Sequence, residues 1–390
     1  MSRATDALHS LLDRPIEYQE AAGYFHTVRE IASQPVVWRA TADVVTSSFG
    51  GLRTFLGGAS RLLFTGAGSS YYAALAAASA LRSCFDVVEA IPSTEIVTDP
   101  EGSLPREPFV LVSLARSGDS PESMAVVELA EALRPREVRH LAVTCNRDGA
   151  LARSVGALGN RGFALLLPAE TNDRGLAMTS SVTSMTIAGY GLAFLASPGS
   201  YGSVVKGLAE AAVQILGRGS DLAARLAETA HPRAFFLASR PFVAGAHEAH
   251  LKVQEMSGGK VIAKAEDTLG FRHGFMAAVD TESLIVLHLS GHNYRRKYEL
   301  DLLAELQAKG LGRTTVVFAD RAEGAHGEVL EYGERPAVSD EYRAPLAMLP
   351  GQLLGLFVSL RLGLKPDNPS PAGVINRVVQ GVRIHPYRGS

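Results

Sequence analysis

Cysteine is almost missing from this chain: Cys84 and Cys145 are the only two in 390 residues, far apart and without metal-ligand spacing. They read as reduced, buried thiols of a cytosolic protein rather than as a disulfide. Excess charge of either sign is missing too. Thirty-eight Lys and Arg against 40 Asp and Glu leave a formal net charge of −2, so there is no electrostatic case for a nucleic-acid partner, which calls for a concentrated basic face. The opening Met-Ser-Arg-Ala-Thr-Asp lacks the apolar core of a signal peptide. Long hydrophobic runs are also lacking: 185–196 is short, and 346–364 is interrupted by Pro350, Gln352 and Arg361, so no membrane span is expected. His247 and His250 lie one helical turn apart with no convincing third ligand and no His-Glu-x-x-His pattern, so no metal is expected. What remains is a globular composition, 46% hydrophobic and 20% charged, long enough for two domains.

A degenerate internal repeat is the strongest architectural signal. Arg61-Leu-Leu-Phe-Thr-Gly-Ala-Gly is a strand running into a small-residue loop and an alanine-rich helix, and Arg233-Ala-Phe-Phe-Leu-Ala-Ser-Arg repeats that design ahead of a helix over 243–256. Apolar runs 109–114 and 284–289 correspond next, each leading to a polar loop and a helix, and 139–144 corresponds to 313–318. Alternating strands and helices predict parallel sheets covered on both faces. The expected domains are a helical N-terminal extension over 1–58, a first α/β domain over 59–200, a linker helix over 201–229, a second α/β domain over 230–365, and a tail over 366–390 that closes on the active site. The segment 197–202 reads as the hinge.

The chemistry concentrates in loops behind strands. Ser113-Leu-Ala-Arg-Ser-Gly-Asp-Ser-Pro-Glu-Ser123 places Ser117, Gly118, Ser120 and Ser123 at the start of a helix, with Pro121 suited to its first turn. Unpaired amides and the positive dipole end there favour a phosphate. Gly66-Ala-Gly68-Ser-Ser-Tyr71 begins like a dinucleotide fingerprint, but Tyr71 replaces the third glycine, which argues against nicotinamide and for sugar phosphate on Ser69 and Ser70. A tight turn alone would also use these glycines; the second hydroxyl loop favours a ligand. The loop Thr171-Asn-Asp-Arg-Gly-Leu-Ala-Met-Thr-Ser-Ser181 has more hydroxyls than a cap needs, so Thr179 or Ser180 is read as a ligand contact. Glu248, Lys252 and Glu255 share one helix face, ordinarily a solvated one; a partly desolvated glutamate there would suit a general base. His273, in Phe271-Arg-His-Gly274, reads as a loop histidine.

Taken in order, these motifs, with Lys252-Val-Gln-Glu255 and Asp367-Asn-Pro-Ser-Pro-Ala-Gly-Val-Ile-Asn-Arg-Val-Val-Gln-Gly381, resemble the tandem sugar isomerase (SIS) domains of phosphosugar enzymes. Within them they are similar to the tagatose-6-phosphate ketose/aldose isomerase group, which includes galactosamine-6-phosphate deaminases. The resemblance covers the chain from about residue 20 onward and implies two doubly wound, flavodoxin-like domains. By likeness to the isomerase module of glucosamine-6-phosphate synthase, it implies phosphate binding by Gly68, Ser69, Ser70, Ser117 and Ser120. Glu255 would shuttle a proton, Lys252 would contact the substrate, and His273, commonly from the neighbouring subunit, would assist ring opening. Arg116 stands where that module has glutamine and would reach phosphate or a ring hydroxyl. Arg377 stands nearest the module's tail lysine and would bind the substrate; arginine stays protonated, which excludes a Schiff base there. Phe275, where the group usually has proline, and Asp119, where asparagine is usual, depart from the pattern. With a Met-Ser start and no glutaminase domain, glutamine is not the expected nitrogen source.

The expected protein is therefore a cofactor-independent, cytoplasmic homo-oligomer, a dimer or dimer of dimers with a shared active site. It would convert an amino-hexose 6-phosphate, best galactosamine 6-phosphate, to a ketose 6-phosphate (tagatose 6-phosphate) and ammonia. An aldose–ketose isomerase, a 6-phosphate deglycase and a non-catalytic phosphosugar sensor stay open as alternatives.

Overall fold

The computed structural model describes residues 6–333, 337–379, 381–387 and 389. The first five residues of the expected N-terminal extension, and Gln380 of the tail motif, lie outside the described residues. The chain forms two compact units, each assembled from separate segments. One comprises Val37–Asp173, Ser180–Gly202 and Ala372–Ser390; the other comprises Met1–Val36, Arg174–Thr179 and Ser203–Pro371. They are called the first-half and second-half units after the sheet each contains.

Three helices precede the first sheet: α1 (Ala7–Leu12), α2 (Ile16–Ala22) and the long α3 (Phe25–Leu56). Asp6 caps α1 by accepting from the His9 amide. The first-half sheet then follows, with β1 (Arg61–Thr65), α4 (Ser69–Leu81), β2 (Val87–Ala90), α5 (Ser93–Thr98), α6 (Pro100–Ser103), β3 (Phe109–Ala115), α7 (Pro121–Leu133), β4 (Val138–Thr144), α8 (Ala150–Gly156), β5 (Gly162–Leu166) and α9 (Ser180–Gly191). All strand pairs are parallel, in the order β2-β1-β3-β4-β5. Every residue of β3 is buried, as a central parallel strand covered on both faces requires. The alanine-rich α4 lies so close to α9 that a Cβ on Gly189 would come within 2.6 Å of the Ala77 Cβ.

α10 (Pro198–Glu228) leads to β6 (Arg233–Ala238), α11 (Val243–Met256), β7 (Ile262–Glu266), β8 (Leu284–His288), α12 (Asn293–Ala308), β9 (Thr314–Ala319), β10 (Glu328–Glu331) and α13 (Ala344–Arg361). The sheet runs β7-β6-β8-β9-β10, again all parallel. Strand for strand this is the order of the first sheet, so the sequence repeat is a repeat of topology. In both sheets the order reverses beside the first strand, where doubly wound proteins place ligands.

Three sequence expectations change. The segment 197–202 is largely the first turns of α10, because Tyr201 is fully buried against Phe49 and Phe194 and its hydroxyl donates to the Ile187 carbonyl at 2.8 Å. Cys84 is exposed in the turn after α4, and only Cys145 is buried. Pro350 does not interrupt α13, which is by length and hydropathy the one helix among the described residues able to cross a membrane; 83% of it is buried, as in a core helix.

Candidate active site

The first-half unit builds a hydroxyl-lined cradle from the loops after β1 and β3. Gly68 holds φ 54° and ψ −125° as the N-cap of α4, a conformation glycine tolerates and a side chain does not. It places Ser69 and Ser70, both nearly buried, in the first turn of α4. After β3, Gly118 adopts φ 68°, the Ser117 hydroxyl accepts from the Asp119 amide at 3.2 Å, and Ser120 caps α7. Ser120 Oγ accepts from the Ser123 amide at 3.3 Å and shares a 2.7 Å hydrogen bond with the Ser123 hydroxyl. The Asp119 carboxylate turns from this loop toward α8, accepting from the Ala150 amide at 2.8 Å and from Asn146 at 3.4 Å. Its charge is thus spent on another helix start.

Arg116 and Arg377 do something the sequence did not disclose. The buried Arg116 donates from Nη2 to the Arg377 carbonyl, and the Arg377 guanidinium donates to the Asp173 carbonyl (2.8 Å from Nε) and Asn172 Oδ1 (2.8 Å). Asp173 in turn accepts at Oδ2 from the Ser181 amide (2.8 Å) and hydroxyl (2.5 Å), fixing the start of α9. The cradle arginine, the tail and the 171–173 loop therefore form one hydrogen-bonded clasp. Asn172 and Asp173 were legible only as members of the flagged Thr171–Ser181 motif. Thr179 and Ser180 are fully buried.

In the second-half unit, α11 carries the charged row. The expectation of a solvated face is overturned: Glu248 and Lys252 are both fully buried. Lys252 Nζ lies 3.3 Å from Glu248 Oε1 and 2.5 Å from Glu255 Oε2. Glycines of α13 explain the burial, since a Cβ at Gly351 would come within 2.3 Å of Ala249 and one at Gly355 within 2.9 Å of the Lys252 carbonyl. Burial works against the ammonium, yet the two carboxylates outweigh it and hold the Lys252 pKa above its ordinary value. Glu255, at the last turn of α11, keeps its side chain about a quarter exposed, 24%. It is a carboxylate oriented by a permanent cation and open on one side, which is what proton transfer to a bound molecule needs. Glu248, whose burial no residue pattern announced, anchors the lysine from behind.

His273 is exposed at the end of a 3-10 turn (Gly270–Arg272) and is followed by Gly274 at φ 105°. Asp267 builds that turn by accepting at Oδ1 from the Leu269 and Gly270 amides (3.0 and 3.1 Å), and Arg272 pairs with Glu305 at 2.5 Å. Phe275 is exposed under the Lys264 ammonium, 4.9 Å from its ring centre. Among the described residues no cluster of His, Cys, Asp and Glu is arranged to hold a metal.

Comparison with known proteins matches residues 55–195 to the SIS domain. The D-galactosamine-6-phosphate deaminase AgaS of Escherichia coli is 37% identical over 372 residues, covering 93% of this chain and 96% of that protein. A Streptomyces coelicolor protein given the same name provisionally is 42% identical over 373 residues, covering 92% and 95%. The crystal structure of tagatose-6-phosphate ketose/aldose isomerase from Escherichia coli is similar with a TM-score of 0.84 at 34% identity, covering 93% of this chain and 97% of that one.

Proposed function

The chain belongs to the SIS-domain sugar isomerase family, in the group of the galactosamine-6-phosphate deaminases and tagatose-6-phosphate isomerases, and on that premise we propose that it converts galactosamine 6-phosphate to tagatose 6-phosphate and ammonia. The observation that carries this reading is the row Glu248–Lys252–Glu255, which ends in an oriented, partly open carboxylate.

In this mechanism the phosphate lies on Ser69, Ser70, Ser117 and Ser120, and His273 moves a proton between the ring oxygen and the anomeric hydroxyl to open the sugar. Glu255 takes the C2 proton, made acidic by the neighbouring aldehyde; the electrons left behind move to the aldehyde oxygen, which takes a proton from water to give an enolamine. The same carboxyl returns the proton to C1, leaving an iminium at C2. Water adds there and ammonia departs, giving the ketose. One group serves both transfers because the carbons are adjacent, and general acid–base assistance of this kind contributes about 10²–10⁴ in rate. Lys252 keeps the Glu255 carboxylate in place between transfers. Arg116 and Arg377 hold the cradle loop to the tail.

A second reading, aldose–ketose isomerisation without loss of nitrogen, is favoured by the likeness to the tagatose-6-phosphate isomerase structure and uses the same 1,2-proton shift. The test is ammonia release from galactosamine 6-phosphate, with glucosamine 6-phosphate and unphosphorylated galactosamine alongside. Release from the first substrate, lost in a folded Glu255→Gln variant, supports deamination. Interconversion of neutral hexose 6-phosphates without ammonia selects the isomerase. Near-normal turnover by Glu255→Gln refutes the proton-transfer assignment. We further propose a cytoplasmic homodimer, checked by light scattering of the eluted protein; a monomer of full activity would refute it.

A further inference from the structure

The second-half sheet reverses its strand order between β6 and β8, as the first does between β1 and β3. The loop after β8 therefore occupies the position that Ser117 and Ser120 hold in the first half. It opens the 16-residue α12 and carries Ser290, Gly291 and His292. These groups already grip an anion. Asp340, 50 residues along the chain from Ser290, inserts its carboxylate and accepts from the Ser290 hydroxyl at Oδ2. It also accepts from the Gly291 amide (3.0 Å), the His292 amide (3.3 Å), Arg295 Nη2 (2.8 Å) and Arg343 Nη1 (2.8 Å).

Two backbone amides at a helix start, a hydroxyl and two guanidinium groups converging on one pair of oxygens are what a phosphate or sulfate receives. The seat is enclosed: Ser290, Asp340 and Arg343 are nearly or fully buried, and a Cβ at Gly291 would lie 2.6 Å from Arg343 Nη1. Behind it the Ser290 amide donates to Glu299 Oε2 at 2.7 Å. Burial would raise the Asp340 carboxyl, but the Ser290, Arg295, Arg343 and Gly291 donors together hold it below the ordinary range.

We infer that the second-half unit retains an oxyanion cradle at its own strand-order reversal and that the Asp340 carboxylate fills it as an internal ligand. The chain then carries the proposed phosphosugar cradle in its first half and one latent site for a tetrahedral oxyanion in its second. The likeness between the two loops rests on the phosphosugar reading of the first. The test below reads stability rather than turnover, so its failure and the failure of that reading are distinguishable.

The experiment compares thermal melts of the intact parent and Asp340→Ala in chloride and in inorganic phosphate or sulfate at matched ionic strength. In chloride the variant is expected to melt roughly 5–10 °C lower, with its donors stranded. Phosphate or sulfate should then restore at least half of that loss, saturably and beyond any shift seen in the parent. Adding Arg295→Ala should abolish the recovery. Asp340→Asn, whose amide still fills the seat, should lose less and respond little to phosphate.

If Asp340→Ala does not fold in chloride, it is refolded from urea into each salt. Folded protein in phosphate alone supports the inference, and folded protein in neither overturns it. It is also overturned if Asp340→Ala melts with the parent in chloride, if the anions shift both proteins equally, or if the Asn variant responds as strongly as the Ala variant.

Discussion

Replacing Lys252 by methionine isolates the electrostatics of the charged row. The substitution keeps most of the side-chain volume and removes the ammonium that lies 3.3 Å from Glu248 and 2.5 Å from Glu255. Glu255 can turn to water, but Glu248 is fully buried and cannot. Breaking a buried pair from one side costs about 3–5 kcal/mol, which in a unit of this size corresponds to a fall in Tm of about 6–20 °C. The pH dependence gives a second handle. With no cation beside it, the stranded carboxylate binds a proton more tightly folded than unfolded. The deficit should be smallest below the ordinary carboxyl range, about pH 4, should grow as pH rises from the unfolded pKa up to the elevated folded one, and should level off above it. In the parent, the raised Lys252 pKa makes its contribution complete below 10.5 and lost only in more alkaline solution, so this group gives no slope between pH 5 and 9. Calorimetric melts at pH 5 and pH 8 separate the two behaviours. A second substitution, Glu248→Leu, should recover most of the loss by removing the unpaired charge. A single variant as stable as the parent at pH 8, or a double variant no better than the single, would sink the reasoning.

Burial pushes the Cys145 thiol up to about 12, whereas Cys84 is exposed; a thiol titration of the native protein should therefore count one fast group and a second only after unfolding, and two fast groups would contradict it. Ser120→Ala removes the cap of α7, which should cost about 1 kcal/mol by urea denaturation and also raise KM for the phosphosugar; an unchanged KM would reduce Ser120 to a cap. Burial raises the Glu299 carboxyl to about 7. Its contribution to stability is then present below the unfolded value of 4.5 and lost as pH rises through 7, a fall on the order of 3 kcal/mol. Glu299→Gln should flatten that fall in urea midpoints between pH 5 and 8, and an unaltered slope would refute the assignment.

The sequence showed most plainly what short-range physics dictates. β3 and α7 were legible because an apolar run, a glycine–serine loop and Pro121 each carry a local signal. The repeat was legible because the same signals recur in the same order. α10 began earlier than its glycines suggested, since the burial of Tyr201 outweighs the modest cost of Gly199 and Gly202 in a helix. The charged row on α11 was seen, but not its burial, because the cover is α13, about 100 residues farther along the chain. The clasp between Arg116 and Arg377, and the seating of Asp340, likewise rest on partners remote in sequence, 261 and 50 residues away. Residue type marked these positions as polar, and tertiary packing alone decided what they hold.

The crossing of α4 and α9 at Ala77 and Gly189 bears on the proposed phosphate grip of Ser69 and Ser70. α4 is a stiff rod whose first turn carries Ser69 and Ser70, about 12 Å from Ala77 at 1.5 Å per residue. A single methyl at Gly189 would have to push that rod outward, since it would otherwise sit 2.6 Å from Ala77. The two hydroxyls would move with it. If those hydroxyls hold a phosphate as proposed, the grip would be set in part by a residue with no side chain, packed two turns along the helix from Ser70, and variation there would retune affinity without altering any group that meets the ligand.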